Sequence, residues 1–221
     1  MRMIPATFDL PFGAQPLDLR TVMLGEGALL LRGFALPAEG LMRDALAVTS
    51  IAPFRQMSTP GGRRMSVAMS NCGALGWVSD LRGYRYEPID PLGGQPWPDM
   101  PNSFSDLATR AASAAGYPGF CPDACLINRY QPGTRLSLHQ DKDERDFSKP
   151  IVSVSLGLPA VFLWGGISRS VRPKRVPLAH GDVVVFGGAS RLIYHGVREL
   201  DGGIHPDLGP YRINLTFRSA S

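Results

Sequence analysis

Cysteine is scarce in this chain and its count is odd: three, at Cys72, Cys121 and Cys125. Small secreted modules are stapled by even sets of cysteines, so a disulfide framework is excluded and a reducing compartment, the cytoplasm, is expected. Cys121 and Cys125 lie four apart, but no second Cys/His pair completes a zinc set. No apolar run approaches the roughly 18 residues that a membrane span needs, so no membrane association is expected. The first twenty residues are broken by Pro5, Pro11 and Pro16 and lack the apolar stretch of a signal peptide. Internal repeats and low-complexity tracts are missing too, which excludes solenoids and long linkers. Lysine is nearly absent: of 23 basic residues only Lys142, Lys149 and Lys174 are not arginine.

What is present fits one globular domain. The chain has 221 residues, enough for one good core, with 44% apolar and 19% charged residues. The formal charge of +4 is compatible with a nucleic-acid partner, and guanidinium forks suit phosphate and carboxylate alike. Codon bias toward arginine explains the same excess equally well.

Helical spacing of Leu41, Ala45, Leu46 and Val48 after Pro37 predicts a helix over 38–50. A second helix is predicted over 103–115, where Phe104, Leu107, Ala108, Ala111, Ala112 and Ala115 form one stripe. Asn102 or Ser103 would cap it, and Gly116 and Pro118 would end it. The segment 54–101 between them reads as irregular and aromatic, a candidate lid. After Pro122 eight short strands are predicted, over 124–130, 136–139, 151–158, 161–164, 175–178, 182–186, 192–197 and 211–218. That series suggests a double-sheet jelly roll.

Histidine occurs only at positions 139, 180, 195 and 205. In Leu138-His139-Gln140-Asp141, residues 139 and 141 share one face of an extended strand. His195 lies on a later predicted strand. Two imidazoles and a carboxylate make the facial triad of non-haem Fe(II) oxygenases. A strand-end role for His139, with Asp141 answering Lys142 or Arg145, remains the alternative. On the last strand Arg212, Asn214, Thr216 and Arg218 alternate with Ile213, Leu215 and Phe217. If that polar face points into a barrel, its arginines need partners. A dicarboxylate is an economical one, and Asn128 and Tyr130 offer an amide and a phenol on a common face. Triad and arginine pair together imply Fe(II) and 2-oxoglutarate.

The same residues carry a family resemblance. Asn128-Arg129-Tyr130, Leu138 to Glu144, His180 to Val185, Tyr194-His195-Gly196 and Arg212 to Arg218 follow one another in an order that closely resembles the bacterial AlkB alkylation-repair dioxygenases. Upstream, Phe54 to Met57, Thr59 to Gly62, Met65 to Met69 and Gly76-Trp77 extend the likeness, whereas Val78 to Arg82 departs from it. The resemblance implies a fold that is α+β and mainly β: a double-stranded β-helix (jelly roll) with supporting helices and an N-terminal nucleotide-recognition lid. It implies Fe(II) at His139, Asp141 and His195, with 2-oxoglutarate and O2 as cosubstrates. Arg212, Asn128 and Tyr130 would take the distal carboxylate of 2-oxoglutarate, Arg218 the end near the metal, and Asn214 would support that face. Trp77 would stack on a damaged base opposite His139, Asp143 would accept from its exocyclic amine, and Met69 would line the pocket. Tyr84 and Thr59 would approach the DNA backbone, and Arg169 the base pocket or strand edge.

The organisation expected is an N-terminal extension over 1–20, helical support and lid over 21–122, and the oxygenase core over 123–221. The expected activity is oxidative demethylation of N1-methyladenine and N3-methylcytosine by a monomer, mainly in single-stranded DNA, with double-stranded DNA and RNA as further substrates. The same chemistry on RNA, tRNA or protein, or a lesion-binding module without turnover, are the rival readings. Arg169, Arg172, Lys174 and Arg175, with Arg63 and Arg64, could track phosphates or form solvated loops.

Overall fold

In the computed structural model, residues 21–221 are described. The expected extension over 1–20 lies outside them. Thirteen strands and two helices follow in the order β1 (Thr21–Gly25), β2 (Ala28–Leu31), α1 (Glu39–Ile51), β3 (Ala68–Gly73), β4 (Gly76–Asp80), β5 (Gly83–Glu87), α2 (Asn102–Ala114), β6 (Ala124–Tyr130), β7 (Leu136–His139), β8 (Ile151–Gly157), β9 (Ala160–Trp164), β10 (Lys174–Leu178), β11 (Val183–Phe186), β12 (His195–Val197) and β13 (Arg212–Arg218). All strand pairing is antiparallel. A seven-stranded sheet runs β1-β2-β11-β8-β13-β6-β3, a four-stranded sheet β10-β9-β12-β7, and β4-β5 form a separate hairpin. This is a jelly roll with two supporting helices.

Period two explains the layering. On β13 the apolar set Ile213, Leu215 and Phe217 joins a core with Leu41, Ala45, Phe104 and Leu107 of the helices. Full burial of Leu215 and Phe217 stabilises the fold by roughly 1.5–3 kcal/mol each. The opposite face of the large sheet looks into a second cluster with Tyr130, Phe162, Trp164, Phe186 and Val197. The space between the sheets is therefore lined by the polar residues of β13 and by aromatics.

Both helices form near the expected spans, with local differences. Leu46 lies on the exposed side of α1, where Met42 takes the inward position. Neither Asn102 nor Ser103 caps α2. Pro101 occupies the cap position, and Ser103 Oγ donates to Asp44 Oδ2 at 2.5 Å, joining the two helices instead. At the other end Gly116, with φ +87°, closes the helix: its N–H bonds Ser113 O, and the Tyr117 N–H bonds Ala112 O. Only a residue without Cβ adopts that turn cheaply.

The segment expected to be irregular contains three strands. β3 pairs with β6 from Ala68↔Arg129 to Gly73↔Ala124, and β4-β5 form the hairpin. The strand expected over 192–197 begins only at His195, because the chain before it forms a short 3-10 turn at Gly188–Ser190. No described helix is long and apolar enough to cross a membrane.

Candidate active site

The ends of β7 and β12 bring the imidazoles together. His139 and His195 are paired in register, with ring centroids 4.5 Å apart. Gly196 permits that approach: a Cβ there would lie 2.6 Å from Leu136 O. Asp141 follows the end of β7 and places Oδ1 3.6 Å from His139 Nε2 and Oδ2 3.6 Å from His195 Nε2. The three side chains offer ligand atoms all within 4.8 Å of one another. Each Nδ1–H donates to a backbone carbonyl, His139 to Ser137 at 2.9 Å and His195 to Ile193 at 3.1 Å. That tautomer leaves both Nε2 lone pairs free for a cation, as in oriented metal-binding histidines. Sequence reasoning offered Lys142 or Arg145 as partners for Asp141; its partner in the fold is Arg218, with Nη2 2.8 Å from Oδ2.

Charge at the triad is strongly biased. Burial alone would raise the Asp141 pKa, but Arg218 and the two imidazoles hold it well below the carboxylate range. Burial alone would likewise lower the His139 pKa, yet the neighbouring Asp141 carboxylate raises it above the usual value. Burial and the proximity of His139 lower that of His195. Fe(II) fits this set of two imidazoles and one ionised carboxylate.

Next to the triad, β13 and β6 build a second, cationic chamber. Arg212 is 1% exposed, and its Nη2 donates to Ser155 Oγ at 3.0 Å. Its Nε and Nη1 have no partner, nor do Tyr130 OH and Asn128 Oδ1. No carboxylate of the described residues pairs with Arg212. Burial lowers its pKa and pushes that of Tyr130 up to about 12. A buried guanidinium with unmade bonds is costly. A carboxylate entering beside Arg212 and Tyr130 would accept from the free Arg212 nitrogens and from Tyr130 OH, so 2-oxoglutarate fits here; Asn128 would join them through its Nδ2, which otherwise has only Asn214 Oδ1 at 3.4 Å. Asn214 has spent its amide within the protein: Nδ2 donates to Ser153 Oγ and Val154 O, both at 2.9 Å, and Oδ1 accepts from Thr216 Oγ1 at 2.9 Å. It stiffens the chamber wall.

The β4-β5 hairpin hangs over the triad by two side-chain bonds. Trp77 Nε1 donates to Asp143 Oδ2 at 2.8 Å, and Tyr86 OH donates to Glu144 Oε1 at 2.5 Å. The Trp77 ring stacks on Tyr84 with centroids 5.6 Å apart. Asn71 grips the Trp77 backbone at both its N–H and its carbonyl, each at 3.0 Å. Met69 is buried, paired with Asn128 across β3-β6. Thr59 closes a turn whose Oγ1 accepts from Arg63 N at 3.2 Å. Arg169 is exposed, its guanidinium 5.8 Å from the Tyr194 ring, beside the equally exposed Arg172, Lys174 and Arg175.

Two groups escaped the sequence reading. Glu144 is buried and takes Arg191 Nη2 at 3.0 Å, with Arg218 Nε 3.2 Å away. Arg191 also donates to the carbonyls of Asp141 at 2.7 Å and Lys149 at 3.0 Å, clamping the segment that carries the metal-facing carboxylate. Adjacency to the His-x-Asp motif was the one signal for Glu144; Arg191 had none.

Comparison with known proteins agrees with this chemistry. The model of the 2OG-Fe(II) oxygenase superfamily matches residues 27–218. The alpha-ketoglutarate-dependent dioxygenase AlkB of Escherichia coli (strain K12) is 62% identical over 89% of this chain and 92% of its own. A more distant relative, the nucleic acid dioxygenase ALKBH1 of Mus musculus, is 34% identical over 60% of this chain and 33% of its own. The solved structure of OsALKBH1 superposes with a TM-score of 0.80 at 32% identity, covering 90% of this chain and 99% of that one. The chain thus belongs to the 2OG-Fe(II) oxygenase superfamily and, within it, to the AlkB family of alpha-ketoglutarate-dependent dioxygenases, enzymes of Fe(II), 2-oxoglutarate and O2.

Proposed function

We propose that this dioxygenase repairs alkylated nucleic acid, removing methyl groups from N1-methyladenine and N3-methylcytosine, mainly in single-stranded DNA. The observation that carries this reading is the half-buried Trp77 ring bonded to Asp143, two residues beyond the metal-facing Asp141. An aromatic face and a carboxylate together favour a cationic, methylated base over its neutral parent, and a desolvated cation–π contact is worth on the order of 2 kcal/mol. The lesion sits on the pairing edge, so the base must leave the stack, which costs least where damage already blocks pairing.

His139, Asp141 and His195 hold the iron; Arg212, Tyr130 and Asn128 hold the distal carboxylate of 2-oxoglutarate; Arg218 fixes Asp141. When bound, iron, 2-oxoglutarate and O2 supply oxidation of the methyl C–H bond, giving succinate, CO2 and a hydroxymethyl group that leaves as formaldehyde. The chain's own part is to orient and keep water out. Trp77 carries the base, Met69 lines its pocket, and Tyr84, Thr59 and Arg169 meet the strand around it. Functionally, 21–122 chooses the base and 123–221 oxidises it, in a cytoplasmic monomer.

The test is release of formaldehyde and succinate from an N1-methyladenine oligonucleotide with Fe(II) and 2-oxoglutarate. No release sinks the proposal. Faster turnover of a matched RNA would move the substrate to RNA; double-stranded DNA and a methylated peptide complete the panel.

A further inference from the structure

A cleft of about 430 Å³ opens away from the triad, lined by Phe54, Arg55, Gln56, Arg64, Ser66, Ala68, Arg129 and Gln131. Alternation on β6 puts it behind the cosubstrate chamber: Asn128 and Tyr130 face inward, so Arg129 between them faces out. Three arginines line it. Arg55 is neutralised by Asp90, with two bonds of 2.6 and 2.7 Å. Arg64 and Arg129 have no carboxylate partner among the described residues.

Arg129 is also held in place. Its Cζ lies 4.5 Å from the Phe54 ring centroid and 5.0 Å from that of Tyr211. Two aromatic faces fix the guanidinium plane while making none of its N–H bonds, so its five donors stay available. Ser66 and Gln56 anchor the opposite wall: Ser66 Oγ donates to Arg135 O at 2.9 Å, and Gln56 Nε2 to Ser66 O at 2.9 Å. A preformed concavity with two uncompensated positive charges and a pre-oriented fork suits an oxyanion of tetrahedral shape.

We propose that this cleft is a phosphate-binding site, and that its natural occupant is a backbone phosphate of the nucleic-acid strand flanking the target nucleotide. Continuity supports the strand as occupant. Arg64 belongs both to the cleft and to the exposed basic stretch Arg63-Arg64, beside the Thr59 turn that faces the strand in the proposed function. A strand crossing that turn can place a later phosphate between Arg64 and Arg129. This rests on the proposed nucleic-acid substrate for the identity of the occupant, but not for the anion site itself.

The experiment measures binding of fluorescent oligonucleotides carrying N1-methyladenine to the Mn(II)- and 2-oxoglutarate-loaded protein across a salt series. A 3-mer is compared with a 15-mer, for wild type, Arg64→Gln, Arg129→Gln and the double variant. Loss of each phosphate contact lowers the salt slope by about 0.7 for a single strand. The expected result is a slope for the 15-mer smaller by roughly 0.7–1.4 in the double variant, with a 3–30-fold weaker affinity at low salt and an unchanged 3-mer. In a second arm, pyrophosphate is titrated into the same proteins by calorimetry. Binding that disappears in the double variant supports the site even if no oligonucleotide binds, and separates failure of the substrate reading from failure of this one. Should Arg129→Gln melt early because its aromatic clasp is lost, Arg64→Gln and Arg129→Lys carry the test, the latter retaining most of the slope. Unchanged slopes together with unchanged pyrophosphate binding overturn the proposal, as does equal weakening of 3-mer and 15-mer.

Discussion

Replacing Arg212 by methionine separates the stability of the fold from its cosubstrate. Arg212 is a buried cation with one hydrogen bond from the protein, to Ser155, and two nitrogens that no other protein group meets. Each unmade buried bond costs about 1–3 kcal/mol. Methionine would forfeit the Ser155 bond, about 1 kcal/mol, and the stacking on Tyr130 at 5.0 Å, about 0.5–2 kcal/mol. It removes the two orphans and the desolvation of the charge. Two orphans at about 2–6 kcal/mol against about 1.5–3 kcal/mol forfeited leave a balance centred on about 2 kcal/mol in favour of methionine, in line with the neutral to roughly 1–4 kcal/mol stabilising effect of exchanging buried charges for apolar residues of like volume. For a chain of this size each kcal/mol moves the melting temperature by about 2–4 °C. Wild type should instead respond to cosubstrate: at a hundred times Kd, 2-oxoglutarate adds about 2.7 kcal/mol, roughly 5–11 °C. Thermal melting with Mn(II) in place of Fe(II), with and without 2-oxoglutarate, reads both effects without turnover. Arg212→Met should melt at or above wild type alone and show no shift with 2-oxoglutarate. An undiminished shift refutes the carboxylate assignment, and a variant melting well below wild type refutes the claim that the buried guanidinium is a net cost.

Asp141→Ala should abolish succinate formation while leaving oligonucleotide affinity within about twofold; retained turnover rejects the triad. Trp77→Ala should weaken binding of the methylated oligonucleotide by about 1–3 kcal/mol, the usual value of one base–aromatic stack, and equal loss for unmethylated strands would reject lesion recognition. For Asp90, burial would raise the pKa, but the Arg55 guanidinium and the backbone N–H groups of Leu92 and Gly93 outweigh it and hold the carboxyl below its usual value. The stability it contributes is therefore complete above about pH 4 and lost as pH falls through the depressed value. Asp90→Asn should flatten the acid limb of stability in that window, and a superimposable urea midpoint–pH curve would contradict the pairing.

The eight strands after Pro122 were legible because alternation and turn residues coincide there. The helices were legible because their stripes of small and apolar residues are unbroken. The strands before α2 were hidden for a physical reason. β3, Ala-Met-Ser-Asn-Cys-Gly, has no β-branched residue, and its extended form is imposed by the ladder to β6. At Leu192–Tyr194 composition suggests strand, but Gln140 Nε2 takes the Leu192 carbonyl and the preceding turn keeps the segment out of the sheet. In the site, ligands placed by period two could be read. The Glu144–Arg191–Arg218 cluster could not, since buried ion networks join distant positions without any sequence period. The Trp77–Asp143 bond likewise joins residues 66 positions apart.

The two-faced β13 leaves this chain little room for silent error. A slip of one residue against β6 or β8 would turn Arg212 and Arg218 toward the helices and Phe217 toward the iron. One mistake would dissolve the helix-backed core and disarm the oxygenase together. A molecule that holds its iron and its cosubstrate has therefore already passed a check on its own folding. Free iron chemistry is hazardous near nucleic acid, and here the same seven residues that close the sheet decide whether that chemistry can be assembled at all.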